Sequence, residues 1–322
     1  MSINSPRSTR VLVTGGSGLV GGAVSRHLEE LGYEVVAPPR TELDLTQADE
    51  THAYLHASRP QAVVAAAALV GGIGANVREP TRFLTENLTM QNNLLLAAAA
   101  SGVSRLIFMS SSCVYPRESP QPMKEEYFLT GPFEPTNASY AVAKMAGMQL
   151  ASSLASEGRL QSTVLVPSNI YGPGDTFDLD RAHVASALVR KFVDARRDGV
   201  SQVEVWGTGR ARRELLHVTD VASATAFVLR SENVPFLLNV GTGQDHSISE
   251  LATMIKELTG YTGSLDFDST KPDGMPKKVL DVSRLRDLGW TSTIDLREGL
   301  AELVSVYESQ SLTSDSRRLG NP

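Results

Sequence analysis

Cysteine is almost absent: Cys113 is the single one in 322 residues. No internal disulfide can form, so cysteine usage does not constrain the redox compartment. Positive charge is in the minority. Thirty Lys and Arg against 36 Asp and Glu give a formal net charge of -6, which argues against a nucleic-acid surface. No apolar run reaches membrane-spanning length, so no membrane partner is expected. The stretch from Met1 to Arg10 is polar and has no signal-peptide apolar region, which makes a cytoplasmic enzyme the expectation. The six histidines and the cysteine show no ligand spacing, so no metal is expected. No internal repeat is found. What is present is ordinary: 41% hydrophobic and 20% charged residues. The length favours two lobes over one core.

The chain begins its pattern with Val11-Leu-Val-Thr14, a buried strand. It runs into Gly15-Gly-Ser-Gly18-Leu-Val-Gly21-Gly22, then a helix from about Leu19 to Leu31 and a strand from Glu34 to Ala37. Glycines at that spacing between a strand and a helix allow a tight turn and close approach of backbone to a pyrophosphate. The helix N-terminus then faces the negative charge. This is a dinucleotide site. An acid usually ends the second strand of NAD binders. Here Ala37-Pro-Pro-Arg40 has none, which favours NADP unless Arg40 is merely solvated. Asp44 suits either the adenine edge or the cap of a helix from about Gln47 to Ser58. Further strand–helix alternation follows: Pro60–Ala68, a helix from Pro80 to Ser101, then Leu106–Met109. That alternation predicts an α/β fold: a Rossmann-type doubly wound parallel sheet with a smaller C-terminal α/β substrate-binding lobe. The dinucleotide domain is read as 8–168 with a returning segment at about 215–241. The second lobe is 169–214 and 242–309, and 310–322 is read as a disordered tail.

The most informative stretch runs from Phe108 to Lys144. Serines follow the strand ending at Met109, at the carboxyl end where ligands sit in open parallel sheets. Thr136 or Asn137 can cap a helix on which Tyr140 and Lys144 are four residues apart and share a face. A cation one turn from a phenol makes it more acidic. Bringing a tyrosine from ~10 to ~7 requires roughly 4 kcal/mol. Cys113 lies in this stretch too, and a lone cysteine after a strand reads either as a small buried hydrophobe or as a nucleophile. His183 stands where a helix to about Arg197 begins, as a cap or an acid/base.

Together these residues resemble the extended short-chain dehydrogenase/reductase family. The resemblance covers about Arg10 to Tyr307. It rests on the glycine turn, Val70-Gly-Gly-Ile, Ser111-Ser-Cys113-Val-Tyr-Pro, Glu134-Pro-Thr-Asn, Tyr140-Ala-Val-Ala-Lys144, Ser168-Asn-Ile-Tyr-Gly-Pro, Arg213-Glu-Leu-Leu-His and Lys271-Pro-Asp-Gly-Met-Pro-Lys-Lys-Val-Leu-Asp281. It implies a branch that uses NADP(H) to epimerise and reduce a GDP-4-keto-6-deoxy sugar. The catalytic set it implies is Ser111, Cys113, Tyr140, Lys144 and His183. The implied cofactor contacts are Gly15, Ser17, Gly18, Leu19, Val20, Gly21, Arg40, Asp44, Leu45, Ala67, Pro167, Asn169 and Ile170, with Tyr140, Lys144 and His183 shared. The implied substrate contacts are Ser112, Val184, Leu188, Lys191, Trp206, Arg213 and Asp273. Trp206 suits a guanine pocket or the core; Arg213 suits a pyrophosphate or the open surface. A homodimer through a four-helix interface is implied as well. The chain departs from the family pattern at Ser17 and Pro38, where basic residues are frequent, and at Ser110, Arg181-Ala182 and Lys191. These departures leave room for a different nucleotide sugar.

Overall fold

A computed structural model describes residues 9–319; the first eight residues and the last three of the expected tail lie outside the described residues. In chain order the elements are β1 (Arg10–Thr14), α1 (Leu19–Glu30), β2 (Glu34–Val36), α2 (Ala48–Ser58), β3 (Ala62–Ala65), α3 (Ile73–Arg78), α4 (Pro80–Ala100), β4 (Arg105–Met109), α5 (Ala138–Ser156), β5 (Gln161–Pro167) and β6 (Asn169–Tyr171). They continue with α6 (Val184–Asp198), β7 (Gln202–Trp206), β8 (Arg212–Arg213), β9 (Leu215–His217), α7 (Val218–Arg230), β10 (Leu237–Val240), β11 (His246–Ser247), α8 (Ile248–Thr259), β12 (Ser264–Asp268), β13 (Lys277–Lys278), α9 (Ser283–Asp287) and α10 (Leu296–Leu319).

Six strands form one sheet in the order β10-β5-β4-β3-β1-β2, every pair parallel. β3 and β4 are buried at every position. That is the pattern of a sheet covered on both faces, and it explains the apolar runs Ala62–Ala65 and Leu106–Met109. One face packs against α1 and α7, the other against α2, α4 and α5. Arg105 in β4 is buried, yet its guanidinium donates to Ser231 O at 2.8 Å and Val228 O at 2.7 Å, tying the strand to the carbonyl end of α7.

The second core lies among α6, α8 and α10 and the parallel pair β7–β12. The hinge between the two cores is pinned by Glu214, a carboxylate 1% exposed. It accepts from Thr242 N at 2.6 Å, Gly243 N at 2.8 Å and Leu280 N at 2.7 Å. Burial pushes its pKa up to about 7 against those donors. A Cβ on Gly241 would lie 2.0 Å from Glu214 Oε1, so only glycine fits there.

The segment from Gln310, expected to be disordered, instead continues α10 to Leu319. Leu300, Leu303 and Val304 anchor the front of that helix in the core. No Gly or Pro interrupts the chain between them and Gly320, so propagation needs no new nucleus.

Candidate active site

One cavity of about 1100 Å³ runs between the carboxyl ends of the sheet and the second lobe. Its floor is the glycine turn. Gly15 takes φ +73°, and a Cβ there would sit 2.9 Å from Ala67 Cα. A Cβ on Gly21 would lie 2.2 Å from Gly15 O. The turn therefore packs against the end of β3 and starts α1 directly below the cavity, as a pyrophosphate cradle requires. Gly15, Ser17, Gly18, Leu19, Val20, Gly21, Arg40, Asp44, Leu45 and Ala67 all line this end. Arg40 is exposed and pairs with Asp44 at 3.6 Å. Asp44 accepts from Thr46 N and Thr46 Oγ1, at 2.9 and 2.8 Å. Those bonds, with Arg40 beside it, hold its pKa below the usual carboxylate value. Gln47, not Asp44, is the cap of α2.

The middle of the cavity brings Ser111, Cys113, Tyr140, Lys144, Pro167, Asn169, Ile170 and His183 together. Ser111 closes the short turn Ser112–Val114 by accepting from Cys113 N at 3.3 Å. That turn points Ser111 and Cys113 into the cavity and sends Ser112 inward, where it is 2% exposed. Ser112 is therefore not a wall residue, contrary to the expectation for it. The Cys113 sulfur has two donors within reach: Asn137 Nδ2 at 3.1 Å and Lys278 Nζ at 3.5 Å. Asn137 stands at the cap position of α5, but its side chain makes no capping bond; the sulfur takes it instead. Lys278 comes from β13, more than 160 positions later in the chain.

Lys144 is 3% exposed. Its Nζ donates to Met109 O at 2.8 Å and lies 5.9 Å from the centre of the Tyr140 ring. Burial lowers its pKa to about 8. The expectation that Lys144 makes Tyr140 acidic is not met in this geometry. The ammonium is engaged by the strand carbonyl, and burial, assisted by the nearby Cys113, pushes the phenol above its ordinary value. His183 is the cap residue of α6 but makes no side-chain capping bond. It faces the open cavity, flanked by Asp175 and Lys278. The surrounding protein lowers its pKa, Asp175 raises it and Lys278 lowers it further.

The outer end belongs to the second lobe. Val184, Leu188, Lys191, Trp206, Arg213 and Asp273 all line it. Trp206 is 52% exposed and so not a core residue. Lys191 and Lys271 lie 5.7 and 5.5 Å from its ring centre. Arg213 is half-buried rather than a surface charge. It donates to Arg212 O, Met275 O and Asp273 O at 2.8, 2.6 and 2.8 Å. Asp273 accepts from Thr208 N and Oγ1, at 2.8 and 2.7 Å. Sequence reasoning passed over Asn137 as a contact to sulfur, and over Lys278 and Asp175 altogether. For Lys278 the available signal was its place in the segment Lys271–Asp281; for Asp175, its place just after the Gly172-Pro-Gly174 turn.

The chain matches the NAD dependent epimerase/dehydratase family over residues 11–241. It is 43% identical over 300 residues to a probable GDP-L-fucose synthase 1 of Oryza sativa subsp. japonica, covering 92% of each chain. Among solved structures it is similar to a GDP-6-OMe-4-keto-L-xylo-heptose reductase of Campylobacter jejuni, with TM-score 0.88 and 29% identity over 96% of this chain and 99% of that one. It is likewise similar to a GDP-L-fucose synthetase of Naegleria fowleri bound to NADP, with TM-score 0.87 and 26% identity over 96% and 97%.

Proposed function

The chain belongs to the NAD dependent epimerase/dehydratase family, and from that footing we propose that it converts GDP-4-keto-6-deoxy-D-mannose to GDP-L-fucose by 3,5-epimerisation and NADPH-dependent 4-reduction. The observation that carries this reading is a thiol and an imidazole on the same cavity wall as the Ser–Tyr–Lys set. A plain C4 reductase or 4-epimerase needs neither. The rice relative's name supports the choice of sugar and nucleotide.

The ketone at C4 acidifies the protons at C3 and C5. Cys113 and His183 act as base and acid at those carbons. Asn137 and Lys278 donate to the sulfur and fix its place in the cavity. The bound cofactor supplies hydride to C4. Tyr140 gives a proton to O4, and its burial keeps it a neutral phenol, the form that can donate. Ser111 hydrogen-bonds the carbonyl oxygen. Lys144 would hold the nicotinamide ribose, the glycine turn would cradle the cofactor pyrophosphate, and Arg40 would meet its 2′-phosphate. Trp206, Lys191 and Asp273 receive the guanine nucleotide, and Arg213 its pyrophosphate. Residues 8–168 with 215–241 serve the cofactor, and 169–214 with 242–309 serve the sugar nucleotide. Two copies pair through α4 and α5, whose Leu96 and Val142 are each 41% exposed. The enzyme works in the cytoplasm.

A second reading is a C4 reductase on another GDP-4-keto sugar, favoured by the Campylobacter neighbour's name and by Lys191. Both are tested by supplying GDP-4-keto-6-deoxymannose with NADPH or NADH to wild type and Cys113→Ser, and identifying the sugar by NMR. GDP-L-fucose from wild type, lost in the variant, is expected. A product reduced without epimerisation would support the second reading, and no oxidation of either cofactor would overturn the first.

A further inference from the structure

We propose that Gly72 is a positioning residue for His183: its backbone reaches across the cavity from the first lobe and sets where the loop ahead of α6 delivers the imidazole. The contact rests on geometry, and its meaning for catalysis rests on the epimerase-reductase reading.

Gly72 stands at the start of α3 with φ -65° and ψ 178°. Any residue adopts that extended backbone, so conformation does not call for glycine here. Close approach does. Gly72 N donates to Arg181 O at 3.1 Å, and a Cβ on Gly72 would lie 2.9 Å from Ala182 O. Ala182 is the residue before His183, the cap of α6, and all four residues line the cavity. Both contacts go to backbone carbonyls, so the departure from the family pattern in the side chains of Arg181 and Ala182 leaves them intact.

The backbone is tied down on each side of this contact. On the first lobe, Asn76, 7% exposed, donates from Nδ2 to Gly71 O at 2.8 Å and to Gly72 O at 3.0 Å. On the second, the loop from Asp175 to Ala182 is fastened at both ends. The hydroxyl of Ser186, buried in α6, donates to Asp175 Oδ2. Arg181 N and Ala182 N donate to Asp178 O at 2.9 and 2.6 Å. Arg78 of α3 adds an exposed ion pair to Asp180 at 3.8 Å. α3 also packs against the turn Pro135–Asn137, whose Asn137 donates to the Cys113 sulfur at 3.1 Å. One short segment of the first lobe thus touches both carriers of the epimerising pair, the loop that ends at His183 and the turn that holds Cys113. Added volume at residue 72 meets a carbonyl, not a side chain that could swing aside. Whichever backbone yields, the imidazole changes place relative to the sulfur.

The test compares Gly72→Ala with Gly74→Ala, where the added Cβ meets only Arg78 Nη1 at 3.4 Å. In the full-length protein without substrate, the His183 ring resonance, assigned by NMR against His183→Gln, should move in Gly72→Ala and stay in Gly74→Ala. Under the epimerase-reductase reading, deuterium uptake from solvent into the sugar should fall about 10-fold in Gly72→Ala, while NADPH affinity is unchanged and NADPH oxidation persists. Asn76→Ala should displace the His183 resonance by less, and it serves if Gly72→Ala does not fold. An unmoved His183 resonance in Gly72→Ala, or an equal displacement in Gly74→Ala, would overturn the positioning role, as would a loss of NADPH affinity in step with exchange. Failure of wild type to exchange any deuterium would instead overturn the function, with the resonance comparison still deciding the contact.

Discussion

The two chemistries proposed for this cavity are built from different materials. The reducing side, Ser111, Tyr140 and Lys144, stands on the end of β4, a strand buried at every position, and on α5, the helix packed against it. Lys144 is held by a strand carbonyl, and a Cβ on Gly147 would be 2.5 Å from Phe108 Cζ, so helix and strand pack in direct contact. The epimerising side is gathered from loops and from both lobes: Cys113 from a short turn, Asn137 from the start of α5, His183 and Asp175 from the second lobe, Lys278 from a two-residue strand. The reducing side is preorganised by secondary structure, whereas the other is assembled by tertiary structure and depends on how the lobes meet.

That contrast is broken most directly by single substitutions on each side. Tyr140→Phe should lower 4-reduction by about 10³-fold while deuterium exchange at C3 and C5 continues, because the phenol serves only the second step. Cys113→Ser should do the reverse, lowering exchange by about 10²-fold or more and letting NADPH oxidation persist to an unepimerised sugar. If either variant abolished both activities in a folded protein, the two sides would not be separable.

Stability of the lobe junction sharpens the comparison. Glu214→Gln places an amide donor among three backbone donors and should cost about 2 kcal/mol in denaturant unfolding. Exchange should fall further than reduction, because only the epimerising side spans the junction. A smaller effect separates the sides by pH. Lys144 has a folded pKa of about 8, below its free value. It is therefore charged below pH 8 and neutral above it, and 4-reduction should decline as pH rises through about 8, measured as kcat/KM for NADPH oxidation. The same depressed pKa means that folding is opposed while the lysine is charged, so stability should rise modestly between pH 8 and the unfolded lysine value. Smallest of all, Trp206→Ala should raise KM about 10-fold with kcat unchanged, since the indole lies at the far end of the cavity from the Tyr140 set.

The same contrast decides what the sequence revealed. The sheet was legible because β1, β3 and β4 carry continuous apolar runs and the glycine turn sits between a strand and a helix. Tyr140 and Lys144 were legible because helical spacing alone brings them together. Cys113 and His183 drew attention through residue type and resemblance, but their partners did not. No periodicity joins Cys113 to Lys278, and the fate of Asn137 turned on a choice between capping a helix and meeting a sulfur that local propensity cannot make. The acidity expected of Tyr140 failed for a related reason. Sequence gives the spacing of Lys144 but not the Met109 carbonyl that takes its proton donor. The turn at Ser112–Val114 reversed the expectation for Ser112, since a single residue of rotation separates wall from interior.

The solitary cysteine has one more consequence. Its sulfur lies on the cofactor side of the cavity, while Lys278, one of its two donors, rides on the other lobe. Any relative displacement of the lobes changes the company the sulfur keeps, and with it the rate of alkylation. With no second thiol in the chain to compete, a mild electrophile becomes a gauge of lobe position at one atom. Cofactor added alone would write its effect on lobe position into a single reaction rate, whereas nucleotide sugar, seated over the sulfur in the proposed reaction, would slow it by direct cover.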